Sequence, residues 1–276
     1  MVYKQMDLAV EGQKTGPAKL TAYLLDPVSA APERKRPMAI VVPGGGYERC
    51  SNREGEPVAM QFLAMGCHAA VLNYSVSPNR FPVALRELAL AIAVVREHAR
   101  EWYVEEHSVL LCGFSAGGHL ACSAGVFWNR PVAFEAIGRT AGQVRPDGLI
   151  LGYPVITSGA YAHKGSFTML LGEGAQPGVR EAVSLEKQVS GHMPPVFLWH
   201  TVTDDTVPVE NSLLLAAAMQ KHKVNFEMHL YPSGCHGLSL ATQETGGDRG
   251  YQIEPCCQSW ISLVKSWIGR YGGVNG

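Results

Sequence analysis

Neither sign of charge dominates this sequence. Its 23 Lys and Arg stand against 24 Asp and Glu, a formal net charge of −1, and the basic residues form no run. A nucleic-acid or anionic-membrane partner, which needs a basic face, is therefore not expected. No C-x-x-C pair occurs among the 7 cysteines, which speaks against a structural zinc site. The odd number, with Cys67, Cys112 and Cys122 inside apolar runs, reads as reduced, buried thiols of a cytoplasmic protein and not as a disulfide framework. The first twenty residues carry Lys4, Asp7, Glu11, Lys14 and Lys19 without an apolar centre, so no signal peptide is read there. The apolar run Leu88 to Val95 is far too short to span a bilayer. Glycine (30) and proline (17) are plentiful but aperiodic, which excludes collagen-like and low-complexity chains. What remains, with 46% hydrophobic residues over 276 positions, is one large globular domain or at most two small ones.

Five short runs are almost continuously apolar: Met38 to Val42, Ala69 to Leu72, Val109 to Cys112, Leu149 to Leu151 and Val196 to Trp199. Strands with both faces covered read this way, as in a parallel sheet between helices. Helical periodicity lies between them. Pro82 to Arg100 sets Leu85, Leu88, Ile92 and Val95 on one face. Glu56 to Met65, Ala116 to Trp128, Val209 to Lys221 and Glu254 to Ile268 also read as helices. Ser51 and Glu54 have the spacing of a capping box, and Pro57 suits a first turn. The alternation predicts a doubly wound, mostly parallel α/β sheet flanked by helices. Ala18 to Leu25 alternates and has no helix after it, which predicts an antiparallel hairpin at one edge. The glycine-containing stretch of residues 155–191 is irregular and reads as a short cap inserted over the sheet's carboxyl edge, where such folds bind ligands. With no repeat and no linker-like break, residues 1–276 read as a single domain.

The sharpest chemical signal is Leu110-Leu111-Cys112-Gly113-Phe114-Ser115-Ala116-Gly117-Gly118-His119. It is G-x-S-x-G with an apolar strand before it and a helix after it, the context of a nucleophile elbow. Glycines at 113 and 117 let a strained strand-to-helix turn approach its neighbours and push the Ser115 hydroxyl outward. A bare glycine-rich turn with an ordinary serine is the alternative. Ten histidines compete as its base. His236, in a polar turn after the strand-like Asn225 to Leu230, stands late in the chain, as the order serine, acid, histidine requires. His119, one helical turn past Ser115, reads as packed or hydrogen-bonded beneath the elbow. His200 could support the site or face the substrate, and His98, His107 and His222 read as solvated. The acid is sought after the strand Val196 to Trp199, in Thr203-Asp204-Asp205-Thr206-Val207-Pro208. On position alone either Asp204 or Asp205 could be the partner of His236, the other serving as a cap near the following helix. Three glycines, Gly44 to Gly46, let the backbone after Val42 approach a bound ester, and the amides of Gly44 or Gly45, with that of Ala116, are the candidate oxyanion donors. A phosphate cradle is disfavoured, because neither the Walker lysine nor G-x-G-x-x-G spacing is present.

With these pieces in order, the chain resembles the α/β-hydrolase-fold serine esterases, and within them the bacterial esterase and lipase-like group described as acetyl-xylan or acetyl-sugar esterases. The matching stretches are Pro43 to Tyr47 with Ser51-x-Arg53-Glu54-Gly55-Glu56-Pro57, Gly113 to His119, Trp199-His200-Thr201-x-Thr203-Asp204-x-x-Val207-Pro208-Val209-Glu210-Asn211-Ser212, and Gly234-x-His236-Gly237. Related hormone-sensitive-lipase-like enzymes carry a histidine before the glycines, where this sequence has Pro43. The D-x-x-V-P of the resembling group places the acid at Asp204. The resemblance implies hydrolysis of short acyl esters, above all acetyl groups on a sugar, with no cofactor and no metal. Tyr47, Tyr153 and Trp199, with Trp128, are candidate pocket residues, and Arg53 with Glu54 a candidate pair bracing the glycine loop. An amidase, peptidase or formamidase could use the same three residues, and a non-catalytic binding protein could keep the same fold. Nothing in the sequence speaks to oligomeric state.

Overall fold

The computed structural model describes residues 1–271. Eight strands form one sheet: β1 (Val2–Leu8), β2 (Ala18–Leu24), β3 (Arg36–Val42), β4 (His68–Asn73), β5 (Val104–Phe114), β6 (Gly148–Gly152), β7 (Val196–Thr201) and β8 (Phe226–Tyr231). Their spatial order is β1-β2-β4-β3-β5-β6-β7-β8. β1 and β2 are antiparallel, and β2 is antiparallel to β4; every pairing from β4 through β8 is parallel. The apolar runs are thus the inner parallel strands, and the alternating segment is the edge hairpin. β5 extends well ahead of its apolar run, through Glu105, Glu106 and His107. Its register against β3 shifts between Arg36 and Met38, so that polar lead-in is a distorted strand end.

Helices cross between the parallel strands: α1 (Glu56–Ala64), α2 (Val83–Glu97), α3 (Ser115–Phe127), short α4 (Pro131–Phe134) and α5 (Ala141–Val144), α6 (Lys164–Leu171), α7 (Pro177–Ala182), α8 (Glu210–Lys221) and α9 (Trp260–Tyr271). Because successive strand residues face opposite ways, the sheet sorts its side chains into two cores. Ile40, Leu111, Leu151 and Leu198 join Leu88, Ile92, Leu120 and Leu215 on the face of α2, α3 and α8. Val41, Leu110, Ile150 and Phe197 join Phe62, Val264 and Trp267 on the face of α1 and α9. Each such side chain, wholly withdrawn from water, contributes roughly 1.5–3 kcal/mol.

Three local expectations are revised. The helix expected from Glu254 begins as a 3-10 turn, Pro255–Ser259, before α9. Residues 155–191 are not irregular throughout, since they contain α6, α7 and the 3-10 turn Leu185–Lys187. Ser51 and Glu54 make no capping box: the Ser51 side chain caps nothing, and Glu54 is drawn inward instead. All seven cysteines are free thiols. No helix among the described residues is long and apolar enough to cross a membrane.

Two buried histidines belong to the framework. His68, on β4, accepts the Leu25 amide at Nδ1, 3.1 Å away. His119, on α3, donates Nε2–H to the Val183 carbonyl at 2.9 Å and accepts the Tyr47 hydroxyl at Nδ1, 2.8 Å away. Burial pulls both pKa values down to about 4 from 6.5. The unfolded chain therefore binds more protons than the folded one between those values, so stability present above pH 6.5 is lost as pH falls towards 4. Urea unfolding at pH 7 and pH 5 should show a loss on the order of 1 kcal/mol per histidine. His119→Gln should reduce that pH dependence; an unchanged difference would mean that His119 does not contribute.

Candidate active site

Ser115 follows the last residue of β5 and opens α3 with φ +52°. A left-handed backbone costs a residue with a side chain about 1–3 kcal/mol, and the strand and helix on either side hold it there. The glycines around it are dictated by contact. A Cβ at Gly117 would lie 2.1 Å from the Val42 carbonyl oxygen, and one at Gly113 would lie 2.4 Å from that of Gly117. No side chain fits in either place.

Three loops at the carboxyl end of the sheet converge on that turn. His236, in the loop after β8, sets Nε2 2.8 Å from Ser115 Oγ and Nδ1 2.7 Å from Asp204 Oδ2. A carboxylate only accepts, so Nδ1 carries the proton and Nε2 is left to accept the serine hydroxyl. Asp204, in the loop after β7, is buried, and its Oδ1 accepts the amides of Thr206 and Val207 at 3.0 and 2.9 Å. Burial alone would raise its pKa, but hydrogen bonds from His200 and His236 and from the Val207 amide outweigh it and hold the carboxyl far below the usual range. His200 is wholly buried behind Asp204, with Nε2 at 3.3 Å from Oδ2 and 2.9 Å from the Val207 carbonyl and Nδ1 on Ser212 Oγ. It therefore braces the acid and does not face a substrate. Asp205 is exposed and, among the described residues, accepts a hydrogen bond from the Thr206 hydroxyl alone. The helix cap expected of it is not made: Val209 is the N-cap of α8 and no side chain caps it, while Asp204 takes amides of its own loop.

The glycine loop brings one correction. Gly44 donates its amide to Glu54 Oε2 at 2.8 Å, so that N–H is already committed and is not an oxyanion donor. Gly45 has φ +122°, and a Cβ there would lie 2.3 Å from the Arg49 carbonyl oxygen. Ala116 is the second residue of α3, where an amide has no carbonyl four residues back to reach. Gly45 and Ala116 remain as the candidate pair.

Glu54 braces the glycine loop, as expected of it, but not as a pair with Arg53. It is buried, and its second oxygen accepts the Tyr153 hydroxyl at 2.7 Å. Tyr153 OH in turn accepts the Ser239 amide at 2.8 Å, and its ring meets the His236 ring edge to face at 5.1 Å. Burial lifts the Tyr153 pKa well above 10, so the phenol stays a donor. One carboxylate thus ties the glycine loop to the segment following His236. Arg53 is not its ion-pair partner; it donates to the carbonyls of Thr245 and Gly237. Gln252 donates to those of His236 and Gly237.

The expected aromatic pocket is absent from this side of the molecule. Tyr47, Tyr153 and Trp199 are all buried. Tyr47 serves His119, Tyr153 serves Glu54, and Trp199 stacks on Trp260 at 5.4 Å. Trp128 donates to the His192 carbonyl, away from Ser115. Long aromatic side chains at strand ends were drawn into the core beneath the site. The cleft over Ser115, about 290 Å³, is walled instead by Gly45, Gly46, Arg49, His163, Thr206 and Gln252. His163 comes from the 155–191 segment, whose fold over the nucleophile has no periodicity to announce it. His98 is half-buried and stacks on Trp102, while His107 and His222 are exposed. Among the described residues no group of three His, Cys, Asp or Glu side chains is placed to hold a metal ion.

The BD-FAE family model matches residues 27–219. Over 221 residues the chain is 39% identical to endo-1,4-beta-xylanase B of Butyrivibrio fibrisolvens, covering 76% of this chain and 34% of that protein. It is 32% identical over 218 residues to the acetylxylan esterase of Xylanibacter ruminicola, covering 76% and 43%. The chain thus spans less than half the length of these curated relatives. The crystal structure of an acetyl ester-xyloside bifunctional hydrolase from Caldicellulosiruptor lactoaceticus superposes with a TM-score of 0.80 at 38% identity, over 93% of this chain and 89% of that one. The fold is that of the α/β-hydrolases.

Glu54→Gln keeps the shape but puts an amide N–H₂ where one of two donors now points. It should cost about 1–3 kcal/mol of stability and lower turnover of p-nitrophenyl acetate through the displaced glycine loop. Thermal melts and steady-state kinetics check it; unchanged turnover would show that the carboxylate does not position the loop.

Proposed function

Because the chain belongs to the BD-FAE family, we propose that it is a serine esterase that removes short acyl groups, above all acetyl groups on xylan-derived or other sugars. The observation that carries this reading is the unbroken line from Ser115 Oγ through the His236 ring to Asp204, 2.8 and 2.7 Å long. The xylan-related names of its relatives support the choice of substrate. We read residues 1–276 as one hydrolase domain, with residues 155–191 as its short cap.

In the proposed mechanism, His236 Nε2 takes the Ser115 proton as Oγ attacks the ester carbonyl. Asp204 stabilises the imidazolium that forms and keeps the ring in the required tautomer. The amides of Gly45 and Ala116 receive the developing oxyanion, each worth roughly 3 kcal/mol in the transition state. Collapse expels the alcohol, which leaves with the proton from His236, and the acyl group stays on Oγ. Water then attacks that ester with His236 as base again, releasing the acid and restoring Ser115.

Ser115→Ala should abolish p-nitrophenyl acetate turnover and fluorophosphonate labelling while the thermal transition persists. Asp204→Asn should lower turnover by about 10⁴-fold, and Asp205→Asn by no more than a few-fold. If the Asp205 variant is the inactive one, the assignment of the acid is wrong. The small cleft predicts that acetyl and propionyl esters outrun octanoyl esters, because steric exclusion outweighs the ~0.8 kcal/mol that each added methylene can contribute. Preference for octanoyl esters would place the chain among lipases.

A further inference from the structure

His163 stands in the cleft with Ser115 and His236 but takes no part in the hydrogen-bonded line between them. Its ring is oriented from behind. The Ser166 amide, which can only donate, approaches Nδ1 at 3.3 Å, and Ser166 Oγ lies 2.8 Å from the same nitrogen. Nδ1 is therefore the unprotonated nitrogen, and the proton of the neutral ring sits on Nε2. Among the described residues no hydrogen bond engages Nε2. Burial, and then the neighbouring His236, lower the His163 pKa, so the ring stays neutral and this tautomer persists. Ser166 is wholly buried at the start of α6, which fixes the support. The cleft thus gains a single, preoriented N–H donor, supplied by the 155–191 segment.

Of the other polar groups near the reacting atoms, Arg49 is an exposed side chain that no neighbour among the described residues orients, and Thr206 gives its hydroxyl to Asp205. Gly45 and Ala116 serve the acyl oxygen in the proposed mechanism, and Gln252 and Arg53 are spent on backbone carbonyls. What the line Ser115–His236–Asp204 leaves unaddressed is the alcohol half of the ester. We infer that His163 Nε2–H binds a hydroxyl oxygen of the alcohol, so that the site selects acetyl esters of polyols and sugars with a hydroxyl beside the ester. This rests on the esterase reading above. His163 here is a specificity-determining residue: it touches substrate and moves no proton.

The test compares wild type with His163→Phe and His163→Ala on three substrates: a mono-acetylated methyl xyloside, the same compound with the neighbouring hydroxyl removed, and p-nitrophenyl acetate. One lost neutral hydrogen bond is worth about 0.5–1.5 kcal/mol, so the ratio of kcat/KM for the xyloside over p-nitrophenyl acetate should fall roughly two- to tenfold in both variants. With the deoxy compound, that ratio should be the same in variant and wild type. Circular dichroism and thermal melts establish that the variants are folded. An unchanged ratio on the hydroxylated xyloside, or an equal fall on the deoxy compound, overturns the role of His163 and leaves the esterase reading standing. A wild type that cleaves p-nitrophenyl acetate but no acetylated xyloside overturns the sugar reading, and the inference falls with it.

Discussion

Strand β3 and helix α3 meet without room for a methyl group between them. Gly117 lies against the carbonyls of Val42 and Pro43, and Gly44 sits under the Phe114 carbonyl and the Ser115 Cβ. The site depends on this closeness. It fixes the nucleophile at a left-handed residue, and it sets the glycine loop one atom's width from the serine. It also forces the Gly44 amide to find its acceptor elsewhere, in Glu54. A larger residue at 117 would push apart the two strands that carry the oxyanion loop and the nucleophile.

Around that contact the protein spends its buried polar groups in closed chains. Glu54 has a donor on each oxygen, Asp204 has imidazole N–H groups on one side and amides on the other, and His119 is satisfied at both nitrogens. A buried group left without a partner costs the whole of its lost hydration. The same economy explains why the two tyrosines expected to greet a substrate do not, whereas Trp199 is withdrawn by packing alone, its buried Nε1 without a hydrogen-bond partner among the described residues. Tyr47 and Tyr153 are needed as hydroxyl donors inside, and Trp199 fills the core against Trp260.

What was legible in the sequence follows from the range of the interactions involved. Parallel strands announce themselves by local apolar runs, and the elbow by glycines whose demand for space lies within a few residues. That Ser115, His236 and an aspartate after β7 would meet was legible because each follows a strand, and strand ends on one side of such a sheet converge; the choice of Asp204 over Asp205 came from the resemblance. The choice of Gly44 was misleading, since its amide is claimed by a residue ten positions on whose approach no pattern encodes. Glu54 was read both as half of a capping box and as a brace of the glycine loop; only the second holds, because spacing alone does not reveal burial. His163 depended on where a segment without periodicity comes to rest.

The same segment is fastened from below as well as placed above. The Val183 carbonyl, within residues 155–191, holds the Nε2–H of His119 on the helix that begins with Ser115. The amides of Ile156 and Thr157 likewise donate to Asn211 Oδ1 on α8. To swing this segment outward would strip a buried imidazole of its acceptor in a setting where the ring resists protonation. The aperture over the serine is therefore a fixed gauge. In the proposed esterase a molecule would be sorted by whether its outline passes that gauge at rest.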